Sequence, residues 1–192
     1  PNTDSHSSFR STRCRGRLAL SRADASSMAS LPLQRVDLKE LCESVLGLHL
    51  DAATAKNIDL GLETGFAQVS GHEWMLRELL GNLVDNAVKY TPPGGTVTLR
   101  CGRADNPVSG QAQVFLEVED DGPGIAPDQR ARALERFYRA PGSAGEGNGL
   151  GLAIADEIAR LHHAQLLLQS AGKAKGGRGA GLRVRLLMQL TA

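Results

Sequence analysis

The chain has 192 residues, 41% of them hydrophobic and 22% charged, with a formal net charge of +1, which is the make-up of a soluble globular domain. That near-neutral balance and an aromatic content of 4% give no reason to expect a nucleic-acid surface or a base-stacking platform. Cys14, Cys42 and Cys101 form no C-x-x-C pair, which argues against a zinc site or a disulfide framework and fits a reducing compartment. No apolar run approaches the roughly 18 residues needed to span a bilayer.

Residues 1–16, PNTDSHSSFRSTRCRG, are Ser- and Arg-rich and lack apolar periodicity, so they read as a disordered end. Organelle transit peptides share that composition, but no amphipathic helix is evident here. RLALSRADA, residues 17–25, reads as the last turns of a helix, and residues 17–35 as that helix end and a linker. The folded domain is expected over 36–190.

Asp37 is placed to cap a helix, with Glu40 three residues on as in a capping box and Val36 and Leu41 as a hydrophobic staple. Leu38, Leu41, Cys42, Val45, Leu48 and Ala52 then recur at helical spacing, which predicts a helix over about 38–55. Ile58, Leu60 and Leu62 alternate as a strand, with Phe66–Val69 as a short strand able to pair with it. A second long helix is expected over His72–Tyr90. Strict alternation predicts strands at Thr96–Arg103 and Ala112–Asp120. Pro127 opens a short helix. A Gly-rich stretch at 141–149 leads into a helix over about 150–162, and two last strands follow near 165–170 and 182–189 around a Gly-rich turn at 176–181. Helices and strands come as pairs and hairpins, not as βαβ units, which favours a two-layer α/β sandwich.

Three places in this frame carry chemistry. On the second helix Leu76, Leu79, Leu80, Leu83 and Ala87 share one face, and Glu78, Asn82, Asp85, Asn86 and Lys89 the other. Such a stripe is ordinarily a solvated face. Gly81, Asn82, Asp85 and Asn86 are, however, poor helix formers crowded together, and asparagine offers an oxygen to a hard cation and amide donors to phosphate. Asp120 continues the parity of the apolar positions of its strand, so it should point toward the buried layer, and Asp121 away from it. Gly122-Pro123-Gly124 then forces a tight turn. A buried carboxylate needs donors, and an exocyclic amine of adenine is one candidate; a turn-capping aspartate is the other reading. In PGSAGEGNGLG, residues 141–151, side-chain-free backbone leads into a helix N-terminus suited to phosphates, or else forms a surface loop. No G-x-x-x-x-G-K-[ST] and no dinucleotide fingerprint is present.

Taken together and in this order, the segments are more specific than any one alone. ELLGNLVDNAVKYTPPGG resembles the N box of bacterial sensor histidine kinases, VEDDGPGI their D-x-G-x-G box, ERFYRA their F box, and GNGLGLAIADEIARLHHAQL their second glycine box. GLGLAI and RFYR favour that family over the gyrase, mismatch-repair and chaperone ATPases of the same fold. The resemblance spans roughly residues 17–190. It implies a Bergerat ATP-binding fold, a mixed and largely antiparallel sheet packed on about three helices. ATP and Mg2+ are the implied cofactors, with Asn86 as the metal ligand and Asn82 ordering the phosphate site. Lys89 would contact phosphate and Tyr90 would pack near adenine. Asp120 would read the adenine amine in a pocket shaped by Gly122, Gly124 and Ile125. Gly147, Gly149, Leu150, Gly151 and Leu152 would surround the triphosphate, and Phe137 and Arg139 would stand on the lid side. Glu78, one turn before Asn82, is expected to orient the acceptor.

The family's acceptor histidine lies in a motif resembling H-E-x-R-T-P, which nothing here matches. His6, His49, His72, His162 and His163 read as surface or packing residues, so the chain is expected to start after the acceptor. The implied partners are ATP, the dimerization and histidine-phosphotransfer domain of a parent kinase, and a response regulator, without nucleic acid or membrane contact by this portion. The implied location is cytoplasmic, with the parent in the bacterial inner membrane. A serine kinase of the same superfamily, of anti-sigma or mitochondrial dehydrogenase-kinase type, and a non-catalytic ATP-binding module are the rival readings.

Overall fold

A computed structural model describes residues 32–106, 109–139, 148–172 and 180–190. In chain order they form β1 (Gln34–Asp37), α1 (Leu38–Ala55), β2 (Asp59–Thr64), β3 (Gln68–Gly71), α2 (Glu73–Tyr90), β4 (Thr96–Asp105) and β5 (Ala112–Asp120). A 3-10 turn at Pro127–Gln129, a short α3 (Arg130–Ala133), α4 (Gly151–Leu161), β6 (Gln165–Ser170) and β7 (Leu182–Gln189) follow. The main sheet has the order β2-β4-β5-β7-β6, and every pair is antiparallel except β2 with β4. This is the expected two-layer α/β sandwich.

The start of α1 forms as its sequence dictates. The Asp37 carboxylate accepts the Lys39 and Glu40 amides at 2.9 and 3.4 Å, which relieves two of the unpaired N–H groups of the first turn and is worth about 1 kcal/mol. Val36 and Leu41 are both buried there. Two expectations are corrected. Phe66–Val69 does not pair with β2. The strand lies at Gln68–Gly71 and pairs antiparallel with β1 in a separate two-stranded sheet, Val36 opposite Val69. The strand β1 thus occupies Gln34 and Arg35, which read as linker. Leu48 does not join the core but is 73% exposed, and Ala53, not Ala52, is buried. Beyond Val45, α1 meets the core through Leu46 and Ala53, so the stripe turns away from Leu48.

One face of the sheet carries the helices. Leu76, Leu79, Leu80 and Leu83 of α2 and Ala155, Ile158 and Ala159 of α4 pack over Leu99, Leu116, Val118 and Leu186. The small alanines let α4 come close to α2. At one end of this contact the His72 amide donates to His162 Nε2 at 3.0 Å, while His162 Nδ1 lies 2.8 Å from the Ile158 carbonyl oxygen. That pattern assigns a neutral ring with its proton on Nδ1. Burial holds the His162 pKa below its ordinary value.

The opposite face is closed by charge. The Glu117 residue is only 1% exposed. Arg185 Nε donates to its Oε2 at 2.5 Å, and Arg100 and Arg183 flank Oε1 at 3.3 and 3.7 Å. Arg183 also holds Glu119 at 2.6 Å, and Arg100 holds Glu63 at 2.7 Å. The cross-strand register sets this lattice, because Glu117 stands opposite Arg100 on one side and Arg185 on the other. Removing the central carboxylate leaves crowded arginines without their counter-charge. Glu117→Ala should therefore cost about 3 kcal/mol of stability, read by urea denaturation. A loss within about 0.5 kcal/mol, as for an ordinary surface change, would mean that the arginines find solvent instead.

Candidate nucleotide site

Helix α2 carries the asparagine stripe through the middle of the fold. The stripe is not a solvated face throughout, since Asn82 is only 6% exposed. Its Nδ2 donates to the Glu78 carbonyl at 2.9 Å and lies 3.3 Å from Glu78 Oε1. Glu78 itself is exposed. One turn on, Asn86 is half-buried, and its side chain makes no hydrogen bond to another described residue. Its amide packs on the first residue of α4: a Cβ built on Gly151 would lie 2.9 Å from Asn86 Nδ2. A side chain at residue 151 would have to displace the asparagine amide, a link that spacing alone did not reveal. Asp85, between the two, meets His49 Nε2 at 3.2 Å, and the Val45 carbonyl lies 2.8 Å from Nδ1 of that ring. The carboxylate raises the His49 pKa above its ordinary value against the opposing effect of burial. Among the described histidines, His49, His72 and His162 thus have packing roles, as expected; His6 lies outside the described residues.

The last turn of α2 brings in Lys89 and Tyr90, with Lys89 Nζ 4.9 Å from the centre of the Tyr90 ring. The Tyr90 carbonyl oxygen lies 3.1 Å from where a Cβ of Gly122 would stand. That contact joins α2 to the turn after β5. Asp120 points inward as its parity predicts and is 7% exposed. Its Oδ1 accepts the Gly122 amide at 2.9 Å. Burial pushes the Asp120 pKa up to about 6, against the lowering effect of the Gly122 and Leu182 amides. Asp121 turns the other way and accepts the Thr96 amide at 2.9 Å, tying the end of β5 to the start of β4. Gly124 has φ +74°. A side chain there would stand 2.6 Å from the Gly181 carbonyl oxygen. Gly181, just before β7, ends the Gly-rich stretch at 176–181, and its approach to Gly124 is a contact that the sequence did not reveal. Ile125 is partly buried, and its carbonyl accepts Arg130 Nε at 3.2 Å.

At the other side, Leu150 precedes α4 and Leu152 packs at the core's edge. Gly149 has φ +62°, and its carbonyl accepts the Phe137 amide at 2.9 Å. Phe137 itself has φ +67° and a side chain 74% exposed. Arg139 is exposed, and Gly147 lies outside the described residues. A continuous series of contacts therefore runs from Asp120 and Gly122 through Tyr90 and Asn86 to Gly151, Gly149 and Phe137. A cavity of about 480 Å³ lined by His72, Trp74 and Arg77 lies at the opposite end of α2 and includes none of these residues. The sequence also passed over Thr91, whose hydroxyl is buried without a hydrogen-bond partner among the described residues.

A family model described as "Histidine kinase-, DNA gyrase B-, and HSP90-like ATPase" matches residues 71–191. The chain is 38% identical to Sensor protein kinase PmrB of Pseudomonas aeruginosa, over 91% of this chain and 34% of the relative. It is 40% identical to Sensor protein QseC of Escherichia coli K12, over 76% of this chain and 30% of the relative. The chain thus spans about a third of the length of the curated relatives it matches. Among solved structures it resembles a mycobacterial sensor histidine kinase, MprB, with a TM-score of 0.70 and 28% identity over 82% of this chain and 97% of the other. It also resembles full-length ShkA in complex with AMPPNP, with a TM-score of 0.68 and 29% identity over 88% of this chain and 34% of the other.

Proposed function

Since the chain belongs to the histidine kinase-, DNA gyrase B- and HSP90-like ATPase family, we propose that it is the catalytic ATP-binding portion of a sensor histidine kinase, which delivers the ATP γ-phosphate to a histidine of a dimerization domain for onward transfer to a response regulator. The observation that carries this reading is the contact series from Asp120 to Phe137, which gathers four separate sequence motifs around the middle and end of one helix. In this reading Asp120 accepts the adenine amine, and Gly122, Gly124 and Ile125 shape the base pocket. Tyr90 packs near the base and Lys89 faces the phosphates. The amides at Gly149, Leu150, Gly151 and Leu152 open α4 toward the triphosphate with a favourable helix dipole. Gly147 belongs with the triphosphate loop, Phe137 and Arg139 stand on the lid side, and Glu78 orients the acceptor.

The residues suit magnesium arriving with the nucleotide. Among the described residues no group of three or more His, Cys, Asp or Glu could hold an ion by itself. The amide of Asn86 is open beside Gly151, while that of Asn82 is already engaged by Glu78. One protein oxygen plus phosphate oxygens and waters is an ordinary magnesium shell. When bound, the ion neutralises charge on the transferring phosphoryl group. Asn86 would hold that ion, and Asn82 would fix the helix beneath it through its hydrogen bond to the Glu78 carbonyl. A neutral imidazole is nucleophilic without help, so positioning supplies most of the rate.

Among the described residues no helix is long and apolar enough to cross a membrane. We place this portion in the cytoplasm and its parent in the inner membrane. Mixing the chain with a separately produced dimerization segment of the parent and Mg-ATP tests the function. The expected outcome is acid-labile, base-stable phosphate on the dimerization segment and little ATP hydrolysis by the chain alone. Phosphate on serine, or none on a folded segment under conditions where the chain binds ATP, would contradict it.

A further inference from the structure

Lys56 ends α1, far in sequence from every nucleotide motif, yet its ammonium group sits at the end of α2. Nζ donates to the carbonyl oxygens of Val88, Lys89 and Thr91 at 2.7, 2.9 and 2.7 Å. An ammonium has three N–H donors, and all are used. The last carbonyls of a helix have no partner within it and carry the negative end of its dipole, so a cation there is doubly favoured. The backbone of Lys56 is anchored too. Its carbonyl accepts the Gly94 amide at 3.2 Å, and its amide caps α1 on Ala53 and Thr54.

The three carbonyls bracket Lys89 and Tyr90, and the Tyr90 carbonyl is the one that abuts Gly122 beneath Asp120. Thr91 leaves the helix in extended conformation, with φ −65° and ψ 128°. Without a clamp, the last turn of α2 is free to fray and to change the direction of that exit. We propose that Lys56 is a positioning residue for nucleotide binding: it fixes the last turn of α2 and thereby sets Lys89 and Tyr90 against the base and phosphate sites. This rests on the nucleotide reading above and extends it to a residue outside all four motifs.

A displacement on the order of 1 Å at a binding group costs up to roughly 100-fold. Lys56→Met should therefore weaken ATP and ADP binding by roughly 10-fold to 100-fold, measured by calorimetry well below its melting temperature. Val45→Ala, a core truncation on the same helix, serves as a variant destabilised without touching the clamp and should keep wild-type affinity while folded. In the folded Lys56→Met protein the amide resonances of Lys89, Tyr90 and Gly122 should also shift. Wild-type affinity in folded Lys56→Met protein overturns the inference, as does an equal loss in Val45→Ala. If the methionine variant does not fold, Lys56→Gln, with two N–H donors in place of three and no charge, is read in the same way. Failure of the wild type itself to bind ATP overturns the nucleotide reading, and this inference with it.

Discussion

Asn86→Ala is expected to leave the nucleotide-free domain as stable as the wild type while abolishing phosphoryl transfer. The side chain makes no hydrogen bond to another described residue, and alanine is the better helix former by about 0.5 kcal/mol. Its removal opens a little space beside Gly151, which has no Cβ to lose contact. The oxygen that would hold magnesium is gone, so nucleotide binding should no longer depend on magnesium. Transfer to a supplied dimerization domain should fall by about 100-fold or more, because charge neutralisation at the phosphoryl group is worth several kcal/mol. Thermal melts with and without Mg-ATP, on wild type and variant, decide the matter. A variant that melts several degrees lower yet keeps the full Mg-ATP shift would make Asn86 a scaffold residue.

Asp120→Asn should change stability and recognition in opposite directions. Burial pushes the pKa of the folded carboxyl up to about 6 from its ordinary value of 3.8. Between those values the folded state holds the proton more tightly than the unfolded state. Stability therefore falls as pH rises through this window, and the full cost stands above pH 6, on the order of 3 kcal/mol. An amide of the same shape removes the buried charge and still offers an oxygen to the Gly122 amide. The nucleotide-free variant should then be more stable by about 1–3 kcal/mol at pH 7.5, and the gain should shrink toward pH 4. Adenine nucleotides should lose roughly 100-fold in affinity and guanine nucleotides far less, since a matched buried polar partner is what discriminates. In the wild type, ATP affinity should decline as pH falls through about 6. Equal losses for ATP and GTP, with no gain in stability, would remove Asp120 from the base pocket.

A charged aspartate held in a dry place at a cost to the fold is the kind of local inconsistency that marks a site. Its parity was legible in the sequence because Val114, Leu116 and Val118 of β5 are apolar and share it. The long helices and β4 were legible because their periods are maintained over many residues. The Asp37 cap was legible because it is local. What escaped the sequence was non-local. The pairing of β1 with β3 joins residues 34–37 to residues 68–71 across the whole of α1, and neither short segment carries a pattern of its own. The exposure of Leu48 depends on where the core ends, which periodicity does not encode. For the proposed site, residue types and order pointed to Asn86, Asp120 and the glycines. Gly181 against Gly124, Gly151 beneath Asn86 and the Lys56 clamp became visible only when distant segments were brought together.

Calorimetric titration of the folded chain with ATP, in the presence and absence of magnesium, tests the central claim most directly. Saturable binding of one ATP per chain, tighter with magnesium and much weaker for GTP, is the expected result. A chain with the circular dichroism of a folded α/β domain that gives no heat and no thermal shift with Mg-ATP would contradict the account at its root.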